Sequence, residues 1–173
     1  LDITTLRKAL AGVDTAYYLI HSLCLGPKEF AAADLQAAVN FRKAAEEAGL
    51  KRIIYLGGLG DKGGNLSPHL RSRIEVAEEL KGGKVPVTVL RAAVIIGSGS
   101  ASYEIIEHLV KNAPILLLPR WVENKCQPIG IRDVLKYLVG VLETPLTASR
   151  DFDIGGEDVL SYRKMLEKVA ELY

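Results

Sequence analysis

Cysteine is scarce: Cys24 and Cys126 are the only two in 173 residues, and neither sits in a C-x-x-C pair or a Cys/His cluster. A disulfide framework and a zinc site of closely spaced ligands are thereby excluded, no metal is expected, and both thiols are read as reduced. Charge of one sign is lacking as well, with 22 basic residues against 21 acidic ones and a formal charge of +1. That balance gives no general pull toward nucleic acid, an anionic membrane or acidic substrates, so no nucleic-acid partner is expected. Long apolar runs are missing too. The longest, around "APILLLP" at 113–119, is far too short to span a bilayer, and the opening residues carry no signal-peptide pattern. These absences describe a soluble, cytoplasmic protein with no membrane span, internal repeat, low-complexity tract or linker.

What is present is ordinary globular material, 49% apolar and 25% charged, in a length that suits one domain over 1–173. Alternation and β-branched runs predict strands at 15–20, 52–56, 85–92 and 151–154. Helical spacing falls between them. From Pro27 to Ala48, Phe30, Ala33, Ala37, Phe41, Ala44 and Ala48 form one face, with Gly49 as the stop. Leu35 and Val39 lie off that face, so this alanine-rich helix is expected to pack on two sides. Further helices are predicted from Pro68 to Lys81, from Ile131 to Leu142, and after a Ser161 cap. Strand and helix in alternation is the pattern of an α/β protein whose parallel sheet is crossed by helices. Asp2 reads as the cap of a helix with Leu6, Ala9 and Leu10 inward and Gly12 as its end. The chain thus opens on a helix without the strand that should feed it, and a missing upstream segment is expected.

A literal G-x-G-x-x-G, Gly58, Gly60 and Gly63, follows the second strand. A pyrophosphate loop needs its third glycine in the first turn of a helix and an acidic residue about 20 positions on. Here Gly64 and Asn65 follow, the helix starts only near Pro68, and no acidic residue tips the next strand. The turn reading therefore outranks the phosphate reading. Gly97 and Gly99 form a second candidate, but Ser102 stands in the third position, and a cap by Ser100 or Ser102 is the stronger reading. Glu104 and His108 share a helix face as a solvated pair. His21 and Ser22 lie at the mouth of the first strand without a G-x-S-x-G elbow, which argues against a hydrolase triad. Arg71, Arg73, Lys81 and Lys84 read as the solvated edge of a helix.

Six pieces in order, "LRKALAGVDTAYYLIHS", "FRKAAEEAGLKRIIYLGGLG", "HLRSRIEVAEEL", "VPVTVLRAAVIIGSGS", "IRDVLKYLVGVL" and "FDIGGEDVLSYRKML", resemble extended and atypical short-chain dehydrogenase/reductases. The likeness is nearest to the NAD(P)H-binding, nitrogen-metabolite-repressor-like branch and covers nearly the whole chain. It implies a Rossmann-like parallel sheet with flanking helices that lacks its first strand-helix units, with NADP or NAD as cofactor and an unknown small-molecule substrate. In the family the loop like "LGGLGDKGG" carries a serine; Gly57 and Gly58 stand in its place. The family's Tyr-x-x-x-Lys pair becomes His69-x-x-x-Arg73, so His69 is the residue implied for proton handling and Arg73 for the cofactor ribose. Loss of serine, tyrosine and lysine together departs from standard carbonyl reduction.

The resemblance further implies that Leu19, Ile20, His21 and Ser22 line the cofactor, with Gly57 and Gly58 beside it. Ala92, Ala93 and Val94 approach its nicotinamide end, and a substrate-side segment spans about 101–130. Within that segment Gln127 could touch substrate, as could Trp121, for which packing is the stronger reading. Homodimers through the helices at 27–48 and 68–81 are implied. A non-catalytic NAD(P)H-binding sensor or assembly protein is the alternative to a reductase, and an interaction module using an open sheet edge is a third reading.

Overall fold

Side-chain caps mark where three helices begin. Asp2 Oδ2 accepts from the Thr5 amide at 2.8 Å, Ser67 Oγ from Leu70 at 3.3 Å with Pro68 next to it, and Ser161 Oγ from Lys164 at 3.1 Å. Each takes one of the amides that a helix start leaves free. Gly12 (φ +73°) and Gly49 (φ +69°) stand just beyond two helix ends, in the left-handed conformation that glycine adopts without strain.

The computed structural model describes residues 1–22, 26, 29–60, 66–112 and 120–173. Cys24, Pro27, Gly63, Gly64, Asn65 and the "APILLLP" run lie outside the described residues. In chain order the elements are α1 (Ile3–Leu10), β1 (Thr15–Tyr18), α2 (Phe30–Glu47), β2 (Arg52–Gly58), α3 (Pro68–Lys81), β3 (Val87–Ala92), β4 (Ile95–Ile96), α4 (Ala101–Asn112), β5 (Lys125–Cys126), β6 (Ile129–Gly130), α5 (Ile131–Glu143), β7 (Asp151–Ile154), β8 (Leu160–Ser161) and α6 (Tyr162–Ala170). Among the described residues, no helix is long and apolar enough to cross a membrane.

Four strands form a sheet in the order β1-β2-β3-β7, with β1 parallel to β2 from Thr15 opposite Arg52 to Tyr18 opposite Tyr55. This is the expected α/β architecture, a parallel sheet flanked by helices. β2 reads as a continuous apolar run because it lies inside the sheet, with Ile53, Ile54 and Tyr55 fully buried. Among the described residues β1 is an edge strand, with Tyr17 exposed on it and Leu19 exposed just beyond its end.

Residues 1–173, read above as one domain, separate into two compact units: Leu1–Arg91 with Leu138–Asp153, and Ala92–Tyr137 with Ile154–Tyr173. In the first unit Ala37, Ala38, Ala44 and Ala45 are buried on α2, and side chains this small let its backbone approach the neighbouring elements closely. Leu35, on the other side of α2, is 37% exposed. Tyr18, Phe41, Ile53, Tyr55, Val76, Leu80 and Val89 complete that core. The second unit has its own core of Val94, Ile106, Met165 and Leu166. Two short ladders accompany it, β4 with β6 in parallel and β5 with β8 antiparallel.

A buried arginine braces the first unit at the start of β2. Arg52 Nε and Nη2 both donate to Thr88 Oγ1, at 3.0 and 2.7 Å, and Nη1 donates to the Thr144 carbonyl at 3.4 Å. Nη2 also donates to Thr147 Oγ1, while Thr88 Oγ1 donates to the Thr147 carbonyl at 2.8 Å. All these acceptors are neutral oxygens, and burial pulls the guanidinium below its ordinary pKa.

Candidate functional site

Open α/β sheets present ligands to the carboxyl ends of their strands, because loops there are free to shape a crevice. In the first unit those ends are gathered by Arg73. From α3 its Nη1 donates to the Ile20 carbonyl beyond β1 at 3.1 Å, and its Nη2 to the Leu56 carbonyl of β2 at 2.6 Å. The guanidinium lies 5.1 Å from the centroid of the Tyr55 ring, and Tyr55 Oη donates back to the Arg73 carbonyl at 3.1 Å. The fork thus ties two strand ends to one helix turn, a geometry that a planar guanidinium provides and an ammonium does not. Reading Arg73 as part of a solvated helix edge is corrected here: it is only 9% exposed, while Arg71 and Lys84 are exposed. The reason is that α3 turns Arg73 inward, where the main-chain carbonyls of Ile20 and Leu56 supply the acceptors its charge requires.

His69 precedes Arg73 by one turn, half-buried, with its ring 6.4 Å from that of Phe30. Burial lowers its pKa from the ordinary histidine value, the charges of Arg73 and His21 lower it further, and Asp34 partly offsets them. The folded state therefore prefers neutral imidazole. Because the depressed group takes up its proton later in the folded than in the unfolded chain, stability is lost as pH falls from about 6.5 through the folded pKa. Replacing His69 with Gln should flatten the fall in stability between pH 7 and 5 in urea melts; a slope equal to wild type would contradict this account.

The glycines answer a packing need. A β-carbon on Gly58 would come within 2.9 Å of Leu70 Cδ2, one on Gly57 within 3.0 Å of Tyr55 Cε1, and one on Gly60 within 2.9 Å of Leu66 Cδ2. Gly57 and Gly58 end β2 next to the carbonyl that Arg73 holds, whereas Gly63 lies outside the described residues. Leu19 and His21 are exposed, and Ile20 and Ser22 are half-buried. A cleft along α3 and β2 passes Tyr55, Gly58, Arg73, Lys81 and Asp151. It is a narrow cleft, whose space of about 20 Å³ suits about one ordered water.

Ala92, Ala93 and Val94 belong to the second unit, where the Val94 carbonyl accepts from the Ile129 amide at 2.9 Å. In that unit Ser100 Oγ accepts from the Tyr103 amide at 3.4 Å, which is the cap expected for the Gly97 turn, and Gly97 itself backs onto Ile131. Gln127, a candidate for substrate contact, donates its amide to the Gly156 carbonyl. Arg73, His69, Ile20, Gly57 and Gly58 are thus placed in one unit, and Ala92 to Val94 in the other. Sequence reasoning missed Asp34 and Ser72, both buried beside this site and joined by a 3.4 Å hydrogen bond. The available signal was a lone carboxyl on the apolar stripe of α2, one turn from Phe30 and three residues from Ala37.

No protein-family model matches the chain, and no curated protein matches it either. Solved structures do match. MoeE5, in complex with UDP-glucuronic acid and NAD, is 17% identical, with 99% of this chain and 67% of that one covered at a TM-score of 0.80. The UDP-glucuronic acid 4-epimerase of Bacillus cereus, in complex with NAD, is 19% identical, with 99% and 65% covered at 0.75. The triphenylmethane reductase of a Citrobacter species, complexed with NADP(H), is 17% identical, with 99% and 57% covered at 0.75. The chain therefore spans 57–67% of the length of these neighbours. Likeness at this level of identity shows the fold, and the fold is Rossmann-like.

Proposed function

We propose that this chain supplies part of a nicotinamide-dinucleotide site in an atypical, short-chain-dehydrogenase-like oxidoreductase of the nitrogen-metabolite-repressor-like branch. The single observation that carries this reading is the clamp at the strand ends, where Arg73 fixes Ile20 and Leu56 with His69 one turn away. The NAD- and NADP(H)-bound neighbours support an enzyme rather than a sensor. When bound, the dinucleotide supplies or accepts the hydride. The protein's share is to place it and to manage one proton.

Arg73 uses two N–H groups on the carbonyls of Ile20 and Leu56, and the rest of its fork is the candidate donor set for a ribose hydroxyl. Neutral His69, favoured by its lowered pKa, serves as the base that accepts a proton from a substrate hydroxyl, or as the acid in the reverse direction. Leu19 to Ser22, with Gly57 and Gly58, form the strand-end floor for the cofactor. The pyrophosphate grip is assigned to residues outside these 173, supplied by a longer chain or by a partner. The outer faces of α2 and α3, which carry Leu35, are the surface for a homodimer.

Calorimetric titration of NADPH and then NADH tests the reading. The 173-residue chain should bind weakly or not at all, and an N-terminally extended chain should bind at micromolar strength, about 8 kcal/mol. With the extended chain, His69→Phe should reduce turnover of a carbonyl substrate by about 100-fold, the usual share of general acid-base catalysis. An extended chain that binds neither nucleotide would sink the proposal.

A further inference from the structure

The first unit encloses a polar group that the proposed chemistry of His69 does not use. Asp34, 2% exposed, projects from α2, and its Oδ2 accepts from Ser72 Oγ of α3 at 3.4 Å. Its Oδ1 is buried without a partner among the described residues, as are Tyr18 Oη on β1 and His69 Nδ1 on α3. Tyr18 is 1% exposed, held edge-on between Phe41 at 4.9 Å and Tyr55 at 5.8 Å. Packing brings the three side chains to one place. Asp34 is bonded to Ser72, three residues along α3 from His69, and the Phe30 ring, one turn before Asp34 on α2, lies 6.4 Å from that of His69. Tyr18 packs on Phe41 of the same α2 and on Tyr55, whose hydroxyl reaches the Arg73 carbonyl of α3. They are also chemically complementary. A carboxylate oxygen accepts, a phenol donates or accepts, and a neutral imidazole nitrogen does one or the other according to its tautomer. Buried polar atoms are almost always satisfied, and a bridging water with two protons and two lone pairs can satisfy all three.

We propose that Asp34, Tyr18 and His69 share one hydrogen-bond network closed by water held between α2 and α3. Asp34 is thereby a positioning residue that keeps the proton of neutral His69 on Nδ1. A histidine held this way presents the Nε2 lone pair outward, the form able to take a proton from a substrate hydroxyl. Around the imidazole stand Arg73 on the same helix, His21 beyond β1, and Asp34 with the Phe30 ring from α2. Arg73 and His21 disfavour the imidazolium and Asp34 favours it. Only the catalytic use of this arrangement rests on the function proposed above; the network itself needs neither cofactor nor substrate.

The test is nitrogen-15 NMR of the histidine rings in the chain as it stands, with His69 assigned by the signal lost in His69→Gln. Wild type should show the Nδ1–H tautomer. Asp34→Leu should move His69 toward Nε2–H and lower the pH at which it titrates, because the Asp34 charge, which favours the imidazolium, is gone. An Nε2–H tautomer in wild type, or an unchanged His69 spectrum and titration in Asp34→Leu, overturns the proposal. Should Asp34→Leu fail to fold, Tyr18→Phe keeps the ring packing and removes one member of the network. It should shift the His69 tautomer and lower Tm, whereas an unchanged tautomer with equal or higher Tm would overturn the proposal, since an unpartnered buried hydroxyl is better removed. A correct tautomer in an extended chain that shows no turnover would count against the function and leave the network standing.

Discussion

Arg73→Lys is expected to lower stability by about 2–3 kcal/mol, although the substitution keeps the charge. The guanidinium reaches the carbonyls of Ile20 and Leu56 at once and lies against the Tyr55 ring. An ammonium on a flexible stem can reach one of those oxygens and must leave the other buried and unpaired. Arg73→Met, which strands both carbonyls, should cost more than Arg73→Lys, because in both variants the loss comes from stranded carbonyls rather than from missing charge. Urea melts of the two variants against wild type decide the matter. Lysine as stable as arginine would mean that the charge alone matters and that the clamp is not what holds the strand ends.

Thr88→Val is the second large effect, about 2–4 kcal/mol for a change that barely alters volume. Thr88 is fully buried, accepts from Arg52 twice and donates to the Thr147 carbonyl. Valine would leave a buried guanidinium short of its best acceptor and Thr147 without its donor. Removing the charge as well should return part of the loss, so the double variant Arg52→Met/Thr88→Val is expected to melt above Thr88→Val alone. Thermal melts of the single and double variants check the order. A double variant that is the least stable would show that Arg52 contributes chiefly through its stem packing and not through its hydrogen bonds.

The architecture was legible because its signals are local. Asp2 and Ser161 cap helices where their side chains fall just before an apolar stripe, and Gly12 and Gly49 lie beyond helix ends where only a left-handed residue continues the chain easily. The strand at 151–154 lies where its apolar pattern places it, and the one at 52 runs to Gly58 because the sheet continues past the apolar run. Four two-residue strands, β4, β5, β6 and β8, were not legible, being too short to carry any period. The site was read less well for a different reason. Arg73 stands out only through the resemblance of His69-x-x-x-Arg73 to a Tyr-x-x-x-Lys pair, while its pattern alone reads as a solvated edge, because its partners are main-chain carbonyls, which every sequence has and none advertises. Asp34 was passed over because a charge within an alanine-rich helix usually faces water, and only the approach of α3 with Ser72 encloses it.

The rigid setting of Tyr55 also makes Gly57 and Gly58 unequal as routes by which this chain could change. A hydroxyl-bearing side chain at 58 would meet the tip of Leu70, which can swing aside; at 57 it would press on an aromatic edge fixed by Arg73 and Tyr18. A lineage acquiring a nucleophile or proton donor at this strand end would gain it at 58 first. Position 57 would open only after the tyrosine had been surrendered together with the core built on it, so the order of permissible substitutions follows from the stiffness of one ring.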